Sequence, residues 1–353
     1  MKVTNESIVW FVHHLIIGCG GVGYDFLAKF IRRLPDLPKE MVGPLLNMLL
    51  HLDVDEKVLV AVDQQFGRLQ KIFNKENLIT LLNQPTIRQE LSRFDVPFQK
   101  LQDTESGMSQ SPLLTDLLGM LFHTEIESEV RRLIRQGFGC LGSLGRILGQ
   151  NGYALHQRSI IWAVFGSGGG VGPAFGRRVG EILRYLKLDG AMPPVSIVGL
   201  IPMASVYEID QEKKSRALAI NHTLLTCLDE SMNGRSYNTH QLRGNRFHTR
   251  ELNGLFDSII CFGSGQDHDI LFYDNVIDHM VELVWQTSSG GTGVEFLSSL
   301  ANEVRVSNSN QLNDRHEPRH FNRSHEQFSR SGNSRDRVPK GTGHRVDGSQ
   351  NVR

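Results

Sequence analysis

Phe165-Gly166-Ser167-Gly168-Gly169-Gly170-Val171-Gly172-Pro173-Ala174 is the stretch that decides the fold of this chain. It follows the apolar, β-branched run Ser159 to Phe165 and leads into a helical pattern from Phe175 to Leu186. Strand, glycine turn and helix in that order are the unit of a parallel sheet, because the turn lays the helix back over the strand. Consecutive glycines remove every Cβ from the turn, so several backbone N–H groups can converge on one anion at the helix start. Ser167, Gly168, Gly169, Gly170, Val171 and Gly172 are therefore candidate phosphate-holding residues. A flexible linker is the plainer explanation of a glycine run, and the flanking strand and helix argue against it.

The same arrangement occurs near the start of the chain. Ile8 to Ile17 reads as a strand, Gly18-Cys19-Gly20-Gly21-Val22-Gly23 breaks it, and Tyr24 to Leu34 has helical periodicity ended by Pro35. Gly18, Gly20, Gly21, Val22 and Gly23 are candidates for a second phosphate cradle. Taken alone, this turn also fits a dinucleotide-dependent oxidoreductase or an E1-like adenylating enzyme, with Asp63 at the ribose. One dinucleotide site does not need two glycine cradles.

Further buried strands are expected at Lys57 to Val62, Val195 to Ile201 and Ser258 to Phe262. Helices are expected at Leu113 to Ile134, Lys214 to Leu228 and Tyr273 to Trp285. The alternation predicts an α/β fold, a three-layer Rossmann-like parallel sheet with helices on both faces. It assigns residues 1–304 to one nucleotide-binding domain with a variable connector near 77–112, where Pro85, Pro97 and Pro112 punctuate polar sequence. Residues 305–353 are rich in Asn, Ser, Arg, His and Gly, and are expected to form a disordered polar tail.

Composition narrows the partners. The 353 residues carry 38 basic and 38 acidic side chains, so no bulk basic excess points to nucleic acid. Cys19, Cys140, Cys227 and Cys261 are scattered with no C-x-x-C pair, which suits a reducing, cytoplasmic setting. Ser7 to Ile17 is too short for a membrane helix, and no transmembrane segment is expected. No metal-ligand cluster is expected either: His13 and His14 are adjacent and would point to opposite faces of a strand, and His316, His320 and His325 lie in the polar tail.

The 168–172 loop resembles the G-G-G-T-G-[ST]-G signature of the tubulin/FtsZ superfamily, with Val171 for the family Thr and Pro173-Ala174 where a hydroxyl residue and Gly would stand. Ile16 to Gly23 resembles the family's first phosphate loop, and Val60-Ala61-Val62-Asp63 its second strand and acidic loop. Gly137 to Arg146 sits where the family has a γ-phosphate-sensing loop, which makes Gly142 and Arg146 candidate contacts. Glu208 or Asp210 would meet the ribose, and Asp274-Asn275, beside Tyr273 or Phe272, would meet the purine. The strand Ser258 to Phe262 is followed by Gly263-Ser264-Gly265 instead of the family's base-reading Asn.

The resemblance runs from about Ile8 to Trp285 and is greatest with divergent bacterial tubulin-like proteins. It implies binding of GTP or GDP with Mg²⁺, Asp63 placing a metal-bound water, and self-association through the nucleotide face. Gln286 to Val304 offers only Glu295 and Glu303 where the family's catalytic acidic loop would follow, so hydrolysis is expected to be weak or dependent on a partner. A degenerate nucleotide fold serving as an interaction module stands beside these expectations.

Overall fold

The expected strand Ile8 to Ile17 is two strands in the computed structural model. β1 (Val9–Phe11) pairs in parallel with a later strand, and after a break at Val12-His13 the chain enters β2 (His14–Cys19). In chain order there follow α1 (Gly20–Ile31), α2 (Lys39–Leu46), β3 (Leu49–Asp53), β4 (Gln70–Ile72) and α3 (Pro85–Leu91). Next come α4 (Pro112–Leu121), α5 (His123–Gly139), α6 (Leu141–Gln150), β5 (Tyr153–Leu155), β6 (Ser159–Phe165), α7 (Val171–Leu188) and β7 (Val195–Pro202). The series ends with α8 (Gln211–Met232), β8 (Tyr237–Arg243), β9 (Arg246–Leu252), β10 (Ser258–Phe262) and α9 (Tyr273–Ser289). The structure describes residues 9–37, 39–54, 70–72, 80, 82–92, 112–207, 211–235, 237–243, 246–263, 273–289 and 292–300. The expected strand Lys57 to Val62 and the polar tail lie outside the described residues.

The main sheet has the order β10-β7-β6-β2-β3-β4, and every pairing in it is parallel. This is the expected parallel α/β sheet, with two strands the sequence did not announce: β4 at the edge, and Leu49–Asp53 as the neighbour of β2, with Ile16 opposite Leu49. β2, β3, β6 and β7 are buried along their whole lengths, as strands covered on both faces must be.

Side-chain alternation assigns the faces. Leu15 points to α5, where a Cβ on Gly137 would come within 2.2 Å of its Cδ2. Ile16, one residue on, shares an apolar cavity with Phe30 of α1 and Trp285 of α9. Across the register, Phe165 of β6 meets α7 so closely that a Cβ on Gly176 would lie 2.1 Å from its ring, while Trp162 faces the other way and stacks on Phe296 at 5.5 Å. The helices therefore form two layers, with α1 and α9 on one face and α5 and α7 on the other. A buried ring such as Phe165 contributes about 2–3 kcal/mol of transfer free energy, and the glycine is what lets α7 approach it. β5 pairs with β1, and α6 packs on β5, at the amino end of the central strands. β8 and β9 form an antiparallel hairpin of their own.

Candidate functional site

After β2 the chain adds β3 and β4 on one side, and then returns to place β6, β7 and β10 on the other. β2 and β6 are thus adjacent strands whose following turns leave in opposite directions, and a crevice opens between those turns at the carboxyl ends of the strands. Both glycine loops lie there. A Cβ on Gly20 would fall 3.0 Å from the Gly172 nitrogen and 3.2 Å from Val171 Cβ, so the two loops touch. Gly20 itself has a φ of 67°, a left-handed conformation that glycine adopts without strain.

The glycines divide by what they face. Gly18 and Gly23 press backbone on backbone, with a Cβ on Gly18 reaching 2.6 Å from the Gly23 oxygen. Gly172 does the same against Gly166 at 2.8 Å. Gly21 and Gly169 have nothing within 4 Å of a Cβ position, so both face open space at this edge of the sheet. Gly170 stands at the N-cap of α7, half-buried.

Two helices start at this point. α1 begins at Gly20 and α7 at Val171, and neither has a side-chain cap or an acidic residue in its first turn. The first N–H groups of a helix have no intrahelical acceptor and carry the positive end of the helix dipole. Two such ends at adjoining loops fit a phosphate group, since no Cβ at Gly21 or Gly169 and no carboxylate of either first turn opposes an anion.

His51 and Asp53 end β3 at the same edge, and the sequence reading missed both. The His51 Nε2–H donates to the Gly20 carbonyl at 3.1 Å, and an Asp53 Oδ2 lies 3.5 Å from that nitrogen. Burial holds the His51 pKa below the usual imidazole range, opposed by Asp53 and by the bond to Gly20. Burial also raises the thiol of Cys19, which Asp53 reinforces, so this cysteine stays protonated. The Asp53 Oδ1 accepts from the Val54 amide at 2.7 Å. An Asp at the end of the strand beside β2 was the role expected of Asp63, which lies outside the described residues; Asp53 is a carboxylate of the right chemistry to hold a metal-bound water. Among the described residues no group of three or more His, Cys, Asp or Glu is placed to hold a metal directly.

The remaining candidates are placed as follows. Ser167 is fully buried and turned away from the crevice, with its hydroxyl donating to the Pro202 carbonyl at 3.0 Å. Val22 packs against Gly166, and Val171 against Gly20. Asn275 is exposed in the first turn of α9, between Asp274 and Val276. That turn is tied to α1: the Tyr273 hydroxyl donates to Asp25 Oδ2 at 2.7 Å, and Lys29 Nζ donates to the Asp274 carbonyl and to Asp278 Oδ1, each at 2.9 Å. Asp25 is raised above its ordinary pKa chiefly by burial. Glu208 and Asp210 lie outside the described residues.

The structure does not bring Gly142 and Arg146 to this crevice. The expected loop from Gly137 to Arg146 is the end of α5 and most of α6, where Gly142 and Arg146 are exposed. α6 lies against β5, which pairs with β1 at the opposite, amino end of the strands. Leu144 and Leu148 explain the change: their buried faces are worth more than the helix propensity lost at Gly142, Gly145 and Gly149.

No family model and no curated protein matches the chain. It is similar to solved structures of tubulin/FtsZ-family proteins. With the GTPγS-form protofilament of TubZ from Bacillus thuringiensis serovar israelensis it shares 15% identity over 81% of this chain and 59% of that one, at a TM-score of 0.39. With monomeric TubZ from bacteriophage PhiKZ the values are 11%, 77%, 60% and 0.38. With CetZ from Methanosaeta thermophila strain DSM 6194 they are 10%, 82%, 54% and 0.36. The chain thus spans less than two thirds of the length of each. No described helix is long and apolar enough to cross a membrane.

Proposed function

We propose that the crevice between the turns after β2 and β6 binds the phosphates of a guanine nucleotide, GTP or GDP with Mg²⁺. One observation carries this reading. Two uncapped helix N-termini, those of α1 and α7, meet at a topological switch point, and the glycines that face open space there are one from each loop, Gly21 and Gly169. Amides of the two loops would hold the β- and γ-phosphates from both sides. A bound Mg²⁺ would neutralise phosphate charge and polarise a water; Asp53 at the end of β3, or Asp63 beyond it, would accept hydrogen bonds from that water. The Asp274-Asn275 turn of α9 and Glu208 remain the proposed contacts to base and ribose.

A dinucleotide or ATP enzyme built on Gly18 to Gly23 alone would leave the loop at 166–172 without a task. Guanine over adenine is supported by the sequence resemblance alone. Turnover, in this reading, is slow for the isolated chain and rises when a second chain brings a carboxylate to the nucleotide face, so self-association and hydrolysis go together.

The test is binding of GTP, ATP and NAD by the purified chain in magnesium, with Gly169→Asp as the comparison. A Cβ at 169 meets nothing within 4 Å, so the variant is expected to fold and to place a negative charge where the phosphates would lie. At an effective dielectric of about 20, two like charges about 5 Å apart repel by roughly 3 kcal/mol, which weakens binding by about a hundredfold or more. Tight NAD binding untouched by Gly169→Asp would sink the proposal. Sedimentation with and without GTP then tells a filament former from a monomer.

A further inference from the structure

Gly166 and Gly168 do not face the crevice, and a tyrosine occupies the space a side chain would need. A Cβ on Gly166 would lie 2.4 Å from the hydroxyl oxygen of Tyr207, and one on Gly168 would lie 2.8 Å from its Cε2. Tyr207 is delivered by a short turn at Ala204–Val206 whose amino end is tied to two other elements. The Met203 amide donates to the Phe262 carbonyl of β10 at 2.7 Å, and the Ala204 amide points to Asn221 Oδ1 of α8 at 3.5 Å. The Tyr207 hydroxyl donates to the Pro202 carbonyl at 3.4 Å, the same carbonyl that receives the Ser167 amide at 3.3 Å and the Ser167 hydroxyl at 3.0 Å. Burial pushes this phenol up to about 12, opposed by hydrogen bonding from Gly168 and Ser167, so it stays protonated and able to donate. On its other side the ring stands edge-on to Tyr273 at 5.8 Å and 64°, and Tyr273 is bonded to Asp25 of α1.

We propose that Tyr207 is a positioning residue for the second glycine cradle: its hydroxyl pins the buried root Ser167-Gly168 to the end of β7, and its ring, set against Tyr273, holds that root in register with the first cradle on α1. The inference rests on the nucleotide reading for its purpose, though not for its geometry. The Ser167 amide is satisfied inside the protein by the Pro202 carbonyl, which leaves the amides from Gly169 onward for the ligand. Losing the Tyr207–Pro202 hydrogen bond releases the ring that packs on Gly166 and Gly168, and a loop so loosened samples conformations in which the later amides no longer converge.

The test uses the full chain with Tyr207→Phe, which keeps the ring and removes the hydroxyl, beside Tyr207→Leu, which removes the edge-on contact as well. Amide hydrogen exchange of the ligand-free proteins is followed at Ser167 to Gly170 and across β6, and GDP with magnesium is titrated in parallel. In Tyr207→Phe, exchange at Ser167 and Gly168 quickens by about tenfold while β6 keeps its protection, and GDP affinity falls by about five- to tenfold, the worth of one buried hydrogen bond. Tyr207→Leu loses more on both counts. Unchanged exchange at Ser167 and Gly168 in Tyr207→Phe overturns the proposal whether or not nucleotide binds. Faster exchange with unchanged or tighter GDP binding overturns the positioning role. A wild-type chain that binds no nucleotide defeats the function proposed above and leaves the exchange measurement to decide the pin.

Discussion

The adjacent histidines at the start of the sheet should make this fold sensitive to mild acid. His13 and His14 are 0% and 6% exposed. His13 Nδ1 lies 2.9 Å from the Ser159 hydroxyl, and its ring tilts against Phe138 at 5.2 Å. His14 accepts from the Trp162 indole N–H at Nδ1, at 3.1 Å; because an indole only donates, that ring nitrogen carries no proton. Protonating it would break the bond and leave a second cation beside His13. Burial accordingly lowers His13 to about 4 and His14, with a further contribution from His13, to about 3. The unfolded values are near 6.5, so the unfolded chain takes up protons first as pH falls. The stabilisation is complete above about pH 6.5 and drains away below it, until each folded ring titrates near 4 or 3. At pH 5 each histidine lies about one and a half units below its unfolded value, a loss of about 2 kcal/mol each and about 4 kcal/mol together. That is a large part of the 5–15 kcal/mol that holds an ordinary domain folded. Urea unfolding followed by tryptophan fluorescence at pH 7.5 and pH 5 measures it, with the double variant His13→Asn, His14→Gln as the non-titrating reference. Carboxylate contributions are common to both proteins and cancel in the difference. If wild type and double variant lose the same stability between the two pH values, the assignment of the acid sensitivity to this pair is wrong.

Two other expectations follow from packing. Gly166→Ala would place its methyl 2.4 Å from the Tyr207 hydroxyl and 2.7 Å from Val22 Cγ2, and should cost about 1–3 kcal/mol, while Gly169→Ala, facing open space, should stay within about 0.5 kcal/mol of wild type; urea midpoints compare them. Arg178 and Glu181, both almost fully buried, pair at 2.5 Å on α7 next to Asp116 and Arg177, so Arg178→Met should lower stability by about 3–5 kcal/mol by leaving a buried carboxylate short of its partner, and thermal unfolding reads the loss.

β6, β7 and β10 were legible because each is a short, mainly apolar run rich in β-branched residues. β6 occupies the same residues that the sequence predicts, and β7 and β10 differ from expectation by at most a residue. β3 was missed because Leu49-Leu50-His51-Leu52-Asp53 has no β-branched residue and follows the leucines of α2, whereas Val58 to Val62 offers a stronger intrinsic strand signal. Partner contacts overrode propensity: His51 is tolerated in the sheet because Gly20 and Asp53 satisfy its Nε2. The β8–β9 hairpin was illegible for the opposite reason, since Tyr237–Arg243 and Arg246–Leu252 are polar strands whose pairing with each other does not require an apolar run, although Gly244-Asn245 between them is a hairpin signal. At the site, local sequence identified both loops and the helices they open, but not the side chains that reach them from distant elements, Tyr207 and His51, nor the bond between Tyr273 and Asp25, because those contacts join segments far apart in the chain.

Glycine density is therefore an ambiguous signal, and the geometry resolves it residue by residue. Most glycines of the two loops are there because the chain packs on itself: Gly18 against Gly23, Gly20 against Val171 and Gly172, Gly166 against Val22 and Tyr207, Gly168 against Tyr207, Ala204 and Ala217. Only such close approach lets two helix starts share one crevice, so the packing glycines create the site that Gly21 and Gly169 leave open. The same contacts explain the departures from the tubulin/FtsZ loop pattern. The β-branched Val171 is 9% exposed and presses on Gly20, so at this position the side chain braces one loop against the other, where a hydroxyl would reach for a ligand. Pro173 falls in the first turn of α7, where a helix N–H has no intrahelical acceptor and its loss costs nothing. In the proposed nucleotide reading, what the altered loop gives up in side-chain contacts to an anion would fall to backbone amides, whose convergence would depend on how firmly the root at Ser167-Gly168 is held.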